Sequence, residues 1–475
     1  PSGRWSIPCG RGRGPVPARH PPAQALTPAP GFGLDGAGVR WEHSATAEPA
    51  RKPSVPSVPV LPQWTADPEA EFLDYAKAWP PRVEVQGKLG LIRDIPGEIR
   101  GWNQRFGFNA GIAPSAEDLA DAKALTEALG TDEPIAFEPK GGYLVEFEGT
   151  KEGVFAQKVK KSDRPVMAFK YISAEHEPGE KPGARERLAI QRTSFVFYEP
   201  YADPDKFEGV LAFAQCRGVA LVMPGLFGTP DTVIDVLVRR LRQERWYVLR
   251  LLSASSRFTQ TETYTVDTQG DMTVAADLMA RNLGNRAAEI AYAVEAAFQH
   301  VSKARPEIAG CRRVVVGASA GAITLPTVVA RDPQRYQAIV MIGGGADFWL
   351  LNARSNYRRG VDAIRMNWVR GQPTEAQEKA LDELYLARAR LDGFHTGKAL
   401  QGLPVLMIHG AVDRAVPAAL GDLLWARVGK PERWVWPVGH EMLFFSVAGK
   451  LTEISDWLST ASDRVQSPKP GEHTP

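Results

Sequence analysis

Three cysteines in 475 residues, far apart at Cys9, Cys216 and Cys311, are too few for a disulfide scaffold. They form no CxxC pair, so a thiolate zinc cluster is not expected either. No run of about 18 apolar residues occurs, and no transmembrane helix is expected. A surplus of one charge is also missing. The 57 Lys+Arg stand against 55 Asp+Glu, a net +2, which argues against the clustered basic excess of a nucleic-acid binder. Gly343-Gly344-Gly345 follows an apolar run, but no GxGxxG or Walker pattern surrounds it, so redox or nucleotide chemistry is not expected there. Residues 1–40 carry basic residues without the apolar stretch of a secretion signal.

What is present is organised along the chain. Residues 1–65 are rich in Pro, Gly, Ala and Arg and read as a disordered tail or linker, as do 463–475 at the other end. Residues 66–205 read as an extension of mixed type with no placeable motif. Ala66–Trp79 and Ser115–Leu129 are helical by spacing and capping. Tyr143–Phe147, Val166–Ile172 and Thr193–Tyr198 read as strands, the later ones candidates to begin the main sheet. From about Gly218, short apolar runs alternate with helical stretches. The runs are Val219–Met223, Tyr247–Leu252, Arg313–Val316, Ala338–Ile342, Val405–Ile408 and Arg433–Trp436. This alternation predicts a mostly parallel sheet with helices on both faces, within a domain over 206–462. The stretch of about 347–400 interrupts the rhythm, is too long for a plain loop, and reads as an inserted helical cap.

One strand, Val314-Val315-Val316, runs into Gly317-Ala318-Ser319-Ala320-Gly321 and then a helical stretch. In such a GxSxG turn the glycines leave room for a sharp bend that lifts the serine hydroxyl clear of the sheet. The Ala320 N–H, at the start of the new helix, points to the same place.

A nucleophilic serine needs a base, and the base needs an orienting carboxylate. The segment Val405–Pro417 is an apolar strand followed by a loop carrying Asp413. Trp434–Glu441 is another strand ending in Gly439-His440. Both candidates fall just past strand carboxyl ends, in the chain order Ser319, Asp413, His440. Of the other histidines, His409 ends a strand and reads as a buried structural residue, and His395 lies in the cap. Asp422, the rival acid, lies within a helix. Val219–Met223 runs into Pro224-Gly225-Leu226-Phe227-Gly228-Thr229, a Gly-rich loop whose Leu226 N–H pairs with that of Ala320 as the expected oxyanion donors.

With these four elements in this order, residues 206–462 resemble the α/β-hydrolase family of serine esterases and lipases. The resemblance rests on GASAG at 317–321, HGAVDRAVP at 409–417, VGHE at 438–441 and the loop PGLFGT at 224–229, where Pro224 stands in place of the family's usual His. It implies an α/β fold and hydrolysis of small carboxylic esters through an acyl-enzyme, with no cofactor and no metal. Phe227 and Trp349 are the candidate substrate contacts, within a cap region rich in Trp, Tyr and Arg that suits an apolar acyl pocket or an acidic group. Acyl transfer, or peptide or amide hydrolysis by the same triad, stays open, as does a binding protein with a retired hydrolase domain. The Pro-rich leading segment favours export over a cytoplasmic location, and oligomeric state is left open.

Overall fold

The computed structural model describes residues 91–94, 103–107, 120, 123, 143–147, 166–177, 187–201, 216–226, 231–252, 258–359 and 363–464. The expected leading tail, the helix over Ala66–Trp79 and most of that over Ser115–Leu129 lie outside the described residues, where only Ala120 and Lys123 are helical.

The early strands are β1 (Leu91–Asp94), β2 (Asn103–Gly107), β3 (Tyr143–Phe147), β4 (Met167–Glu177) and β5 (Arg187–Tyr198). Then come β6 (Gly218–Met223), α1 (Asp231–Gln243), β7 (Trp246–Leu251), β8 (Glu262–Val266), α2 (Thr273–Ala304), β9 (Arg313–Ala318), α3 (Ala320–Arg331) and β10 (Tyr336–Ile342). The insertion holds α4 (Phe348–Arg354), β11 (Ile364–Trp368), α5 (Glu375–Leu386) and α6 (Gly393–Thr396). The chain continues with β12 (Val405–Gly410), α7 (Ala418–Arg427), β13 (Glu432–Trp436), α8 (His440–Ala448) and α9 (Leu451–Arg464). The last helix runs two residues past the expected end of the domain.

Nine strands form one sheet in the order β1-β4-β5-β7-β6-β9-β10-β12-β13. From β7 to β13 every pairing is parallel, whereas β1, β4, β5 and β7 pair antiparallel. The strands at 167–198 therefore extend the central sheet rather than form a separate unit. Parallel strands joined by crossover helices must be covered on both faces, and β6, β7 and β12 are buried at every position. Alternate residues serve opposite cores. Leu221, Val315, Ile339 and Met341 join the cluster under α2, α3 and α5. Val222, Val314, Val316 and Val340 join the one under α1, α8 and α9. This mostly parallel, helix-flanked sheet is an α/β-hydrolase fold.

The insertion is not purely helical. β11 pairs in parallel with β8, so the cap is stitched to the segment after β7. Helix α5 starts at Thr374 in a capping box: the Thr374 hydroxyl accepts from the Gln377 N–H while the Gln377 side chain accepts from the Thr374 N–H. No helix among the described residues is long and apolar enough to cross a membrane.

Candidate active site

The serine stands where β9 ends and α3 begins. Ser319 has φ 50 and ψ −117, a backbone conformation rarely adopted outside glycine. Its N–H donates to the Ile342 carbonyl at 2.8 Å, which holds the strained residue against β10. The turn depends on a missing side chain at Gly321, where a Cβ would lie 2.2 Å from the Met223 carbonyl oxygen at the end of β6. The Gly321 N–H instead donates to Pro224 O at 3.1 Å and ties the turn to the loop after β6.

Three parallel strands then bring three distant side chains together. Ser319 Oγ lies 2.9 Å from His440 Nε2. His440 Nδ1 lies 2.7 Å from Asp413 Oδ2. Asp413 is 4% exposed and His440 5%. The other carboxylate oxygen, Oδ1, accepts from the N–H groups of Ala415 and Val416, each at 2.9 Å. Those two bonds lock the carboxylate, so Oδ2 alone faces the imidazole. With Nδ1 donating to a carboxylate, the tautomer assigned by this network leaves the Nε2 lone pair for the serine hydroxyl. His440 is the first residue of α8, and its ring is wedged edge-on between Tyr357 and Phe444.

The rival groups are occupied elsewhere. Asp422 forms an ion pair with Arg433 at 2.6 Å. His395 is fully buried, with Nε2 2.6 Å from Leu386 O. His409 is buried against the Gly421 backbone, as a structural histidine should be. Its Nε2, however, finds no hydrogen-bond partner among the described residues, and burial pushes its pKa down to about 4, so it stays neutral.

Leu226 and Ala320 line the same cavity as Ser319. Among the described residues nothing accepts a hydrogen bond from either N–H. The cavity holds about 140 Å³ and is mostly apolar, bounded by Phe258, Leu283, Ile323, Phe348 and Leu351 among others. Of the two expected substrate contacts, Phe227 lies outside the described residues. Trp349 is 2% exposed and does not line the cavity; it packs in the core while its neighbour Phe348 forms the wall. One position along a helix turns a side chain by about 100°, and packing rather than composition chose between them. The exposed Arg370 pairs with Asp267 at 2.9 Å and is not among the lining residues.

Sequence reasoning missed the walls contributed by α2. Leu283 and Arg286 sit three apart, hence on one face of that helix. Sequence reasoning also missed the strap formed by the cap. The Asn356 N–H donates to Arg414 O at 2.8 Å, and the Tyr357 hydroxyl donates to Glu441 Oε1 at 2.5 Å. Residues 356–357 are thereby tied to the loop that carries Asp413 and to the first turn of α8, which carries His440. No group of three or more His, Cys, Asp or Glu among the described residues is arranged to hold a metal ion.

No protein-family model matches the chain. No curated protein matches it either. Among solved structures, it is similar to an esterase from Pyrococcus furiosus at 12% identity and a TM-score of 0.34, over 61% of this chain and 92% of that one. It is similar to acetyl xylan esterase 1 from Thermoanaerobacterium sp. at 16% identity and a TM-score of 0.36, over 60% and 87%. It is also similar to puromycin hydrolase at 16% identity and a TM-score of 0.37, over 61% of this chain and 39% of that one. None of these likenesses is close enough to transfer a substrate.

Proposed function

We propose that the chain is a serine hydrolase that cleaves carboxylic esters through an acyl-enzyme. The observation that carries this reading is the relay Ser319–His440–Asp413, with links of 2.9 and 2.7 Å, opening on an apolar cavity. Ser319 Oγ attacks the ester carbonyl carbon while its proton passes to His440 Nε2. The imidazolium that forms is balanced by the Asp413 carboxylate. The negative charge developing on the carbonyl oxygen is met by the N–H groups of Leu226 and Ala320. The bond to the alcohol breaks, and His440 returns its proton to that leaving oxygen. Water then attacks the acyl-Ser319 carbonyl, giving its proton to His440. The free acid leaves as Ser319 regains a proton.

The test is hydrolysis of p-nitrophenyl butanoate and labelling by a fluorophosphonate, with Ser319→Ala as the control. Turnover and labelling that both vanish in the variant support the reading. Turnover retained by Ser319→Ala refutes it. Product analysis with an added alcohol separates hydrolysis from acyl transfer.

A further inference from the structure

We propose that Cys216 and Cys311 are a modification site: a small-molecule disulfide converts their two thiols into an intramolecular disulfide that staples β6 to β9 at the end of the sheet away from Ser319. Three observations carry this, and none depends on the hydrolase reading.

The first is backbone placement. β6 and β9 are neighbouring parallel strands, with Val219 level with Arg313. They start hard against each other. The Val219 N–H donates to Arg312 O at 2.8 Å, and a Cβ on Gly218 (φ 153) would lie 2.5 Å from that same oxygen. Only glycine leaves the room. Counting back from this register, Arg217 comes level with Cys311, and Cys216 lies one residue beyond. Strands about 4.8 Å apart, with a rise of about 3.3 Å per residue, then put the two Cα atoms about 6 Å apart. That falls inside the roughly 4.4–6.8 Å that a disulfide spans.

The second is side-chain direction. Strict alternation would send positions 216 and 311 to opposite faces, since 216 shares its parity with Ala220 and Val222 and 311 with Val315. The unusual backbone at Gly218 interrupts that alternation. Both cysteines pack against the same core, the one under α2, α3 and α5. Tyr247 of β7, level with Val219, shares a hydrogen bond with Cys216 there. Cys311 Sγ lies 3.5 Å from Glu307 O. Cys216 feels the charge of Cys311, and Tyr247 that of Glu307, so the four groups share one corner of the fold.

The third is access and chemistry. Both residues stand as thiols and are half-buried, so a small reagent reaches them. Burial pushes both thiols up. The groups facing Cys216 are Tyr247, Glu199 and Arg245, and those facing Cys311 are Arg312 and Glu307. A thiol held protonated exchanges slowly. The pair is therefore no fast peroxide sensor. It is a link set by compartment, formed where disulfides prevail and absent where thiols prevail. In the exchange, one cysteine thiolate attacks a sulfur of oxidised glutathione, forming a mixed disulfide and expelling one glutathione thiolate. The second cysteine thiolate attacks the protein-side sulfur of that mixed disulfide and expels the other. Two cysteines are oxidised, one glutathione disulfide is reduced to two glutathiones, and the cysteine protons pass to the glutathione thiolates.

The experiment treats the reduced full chain, as it stands and with Cys9→Ser to remove the third thiol, with oxidised glutathione at pH about 8.5, the ordinary thiol pKa. Remaining thiols are capped with N-ethylmaleimide, and peptides are mapped without reduction. The expected result is a peptide pair joined through Cys216 and Cys311, a chain two hydrogens lighter, an unchanged circular dichroism spectrum and reversal by dithiothreitol. The link closes a loop of about 95 residues, so the linked form is expected to melt about 5 °C above the reduced one. Glutathione left on both cysteines overturns the proposal, because it shows the sulfurs out of reach of each other. Thiols that stay unreacted in the folded chain but link once urea unfolds it overturn it too, as does a link that forms only with loss of the native spectrum. An equal or lower melting temperature means that the link strains the sheet, and overturns the staple. Cys216→Ser in the Cys9→Ser chain is expected to retain glutathione on Cys311; its loss there refutes Cys216 as the second thiol.

Discussion

Replacing Asp413 by Asn separates two jobs that this one carboxylate does. Oδ1 accepts from the Ala415 and Val416 N–H groups at 2.9 Å, and Oδ2 accepts from His440 Nδ1 at 2.7 Å. The Asn amide keeps an oxygen for the two backbone donors, so the loop stays closed. Its NH2 then faces Nδ1 and can only donate. The imidazole must therefore carry its proton on Nε2, which can no longer take the Ser319 proton. A base held in the wrong tautomer costs about 10⁴-fold in kcat, or about 5.5 kcal/mol in the barrier. Asp413→Ala loses the tautomer control and also leaves two buried N–H groups without partners, at about 1–3 kcal/mol each. The assay is kcat with p-nitrophenyl butanoate beside the melting temperature. The Asn variant is expected to lose activity by about 10⁴ with a melting temperature within about 2 °C of the parent. The Ala variant loses several degrees as well, at about 2–4 °C per kcal/mol. An Asn variant that melts like the parent and keeps more than a tenth of its kcat refutes the orienting role.

Two further outcomes follow from groups outside the relay. Burial, with Asp382 and Asp392 nearby, holds the Asp347 carboxyl well above its usual range, and burial pushes Asp382 up to about 6. Both acids bind their protons more tightly folded than unfolded, so the stability they contribute is complete below pH about 4; the Asp382 share is lost as pH rises through about 6, and the Asp347 share is also lost as pH rises. Asp382→Asn is expected to flatten that decline and to raise the melting temperature at pH 8 relative to the parent; a parent stability that climbs between pH 4 and 6, with the variant unchanged, contradicts it. Tyr357→Phe keeps the ring beside His440 but releases Glu441. It is expected to lower kcat/KM about two- to tenfold with little change in melting temperature, and a variant with unaltered kcat/KM shows that the strap's hydroxyl contributes nothing.

How much was legible depended on whether a feature is local. The central parallel strands β6, β7, β9, β10 and β12 were readable from short apolar runs because strands covered on both faces have little room for polar side chains; the edge strand β13, half-exposed, was readable from its Trp-Val-Trp run. The boundaries moved by two or three residues where β9 extends into the turn and α3 begins at Ala320. The segment at 167–198 was readable as strands, but its membership in the central sheet depends on antiparallel pairing with β7, a contact across about fifty residues. Phe348 and Trp349 are indistinguishable as apolar neighbours on one helix, and only their packing decides that Phe348 lines the cavity while Trp349 is buried in the core. The trio of the buried Asp347 and Asp392 with the half-buried Asp382 left no local trace, because each is an ordinary acid until residues distant in the chain pack around it.

The sequence by itself determined the parts whose chemistry depends on spacing along the chain. Ser319 is flanked by the glycines its turn requires, Asp413 and His440 follow the ends of apolar strands, and the order of the three is legible before any contact is known. Tertiary structure alone decided what surrounds them. The cavity walls come from α2, α3 and α4, and Glu262, far from the serine in the chain, neutralises Arg286. A cavity is the space left over when separate elements pack. Its size and charge are therefore properties of their mutual placement, which no short stretch of residues encodes.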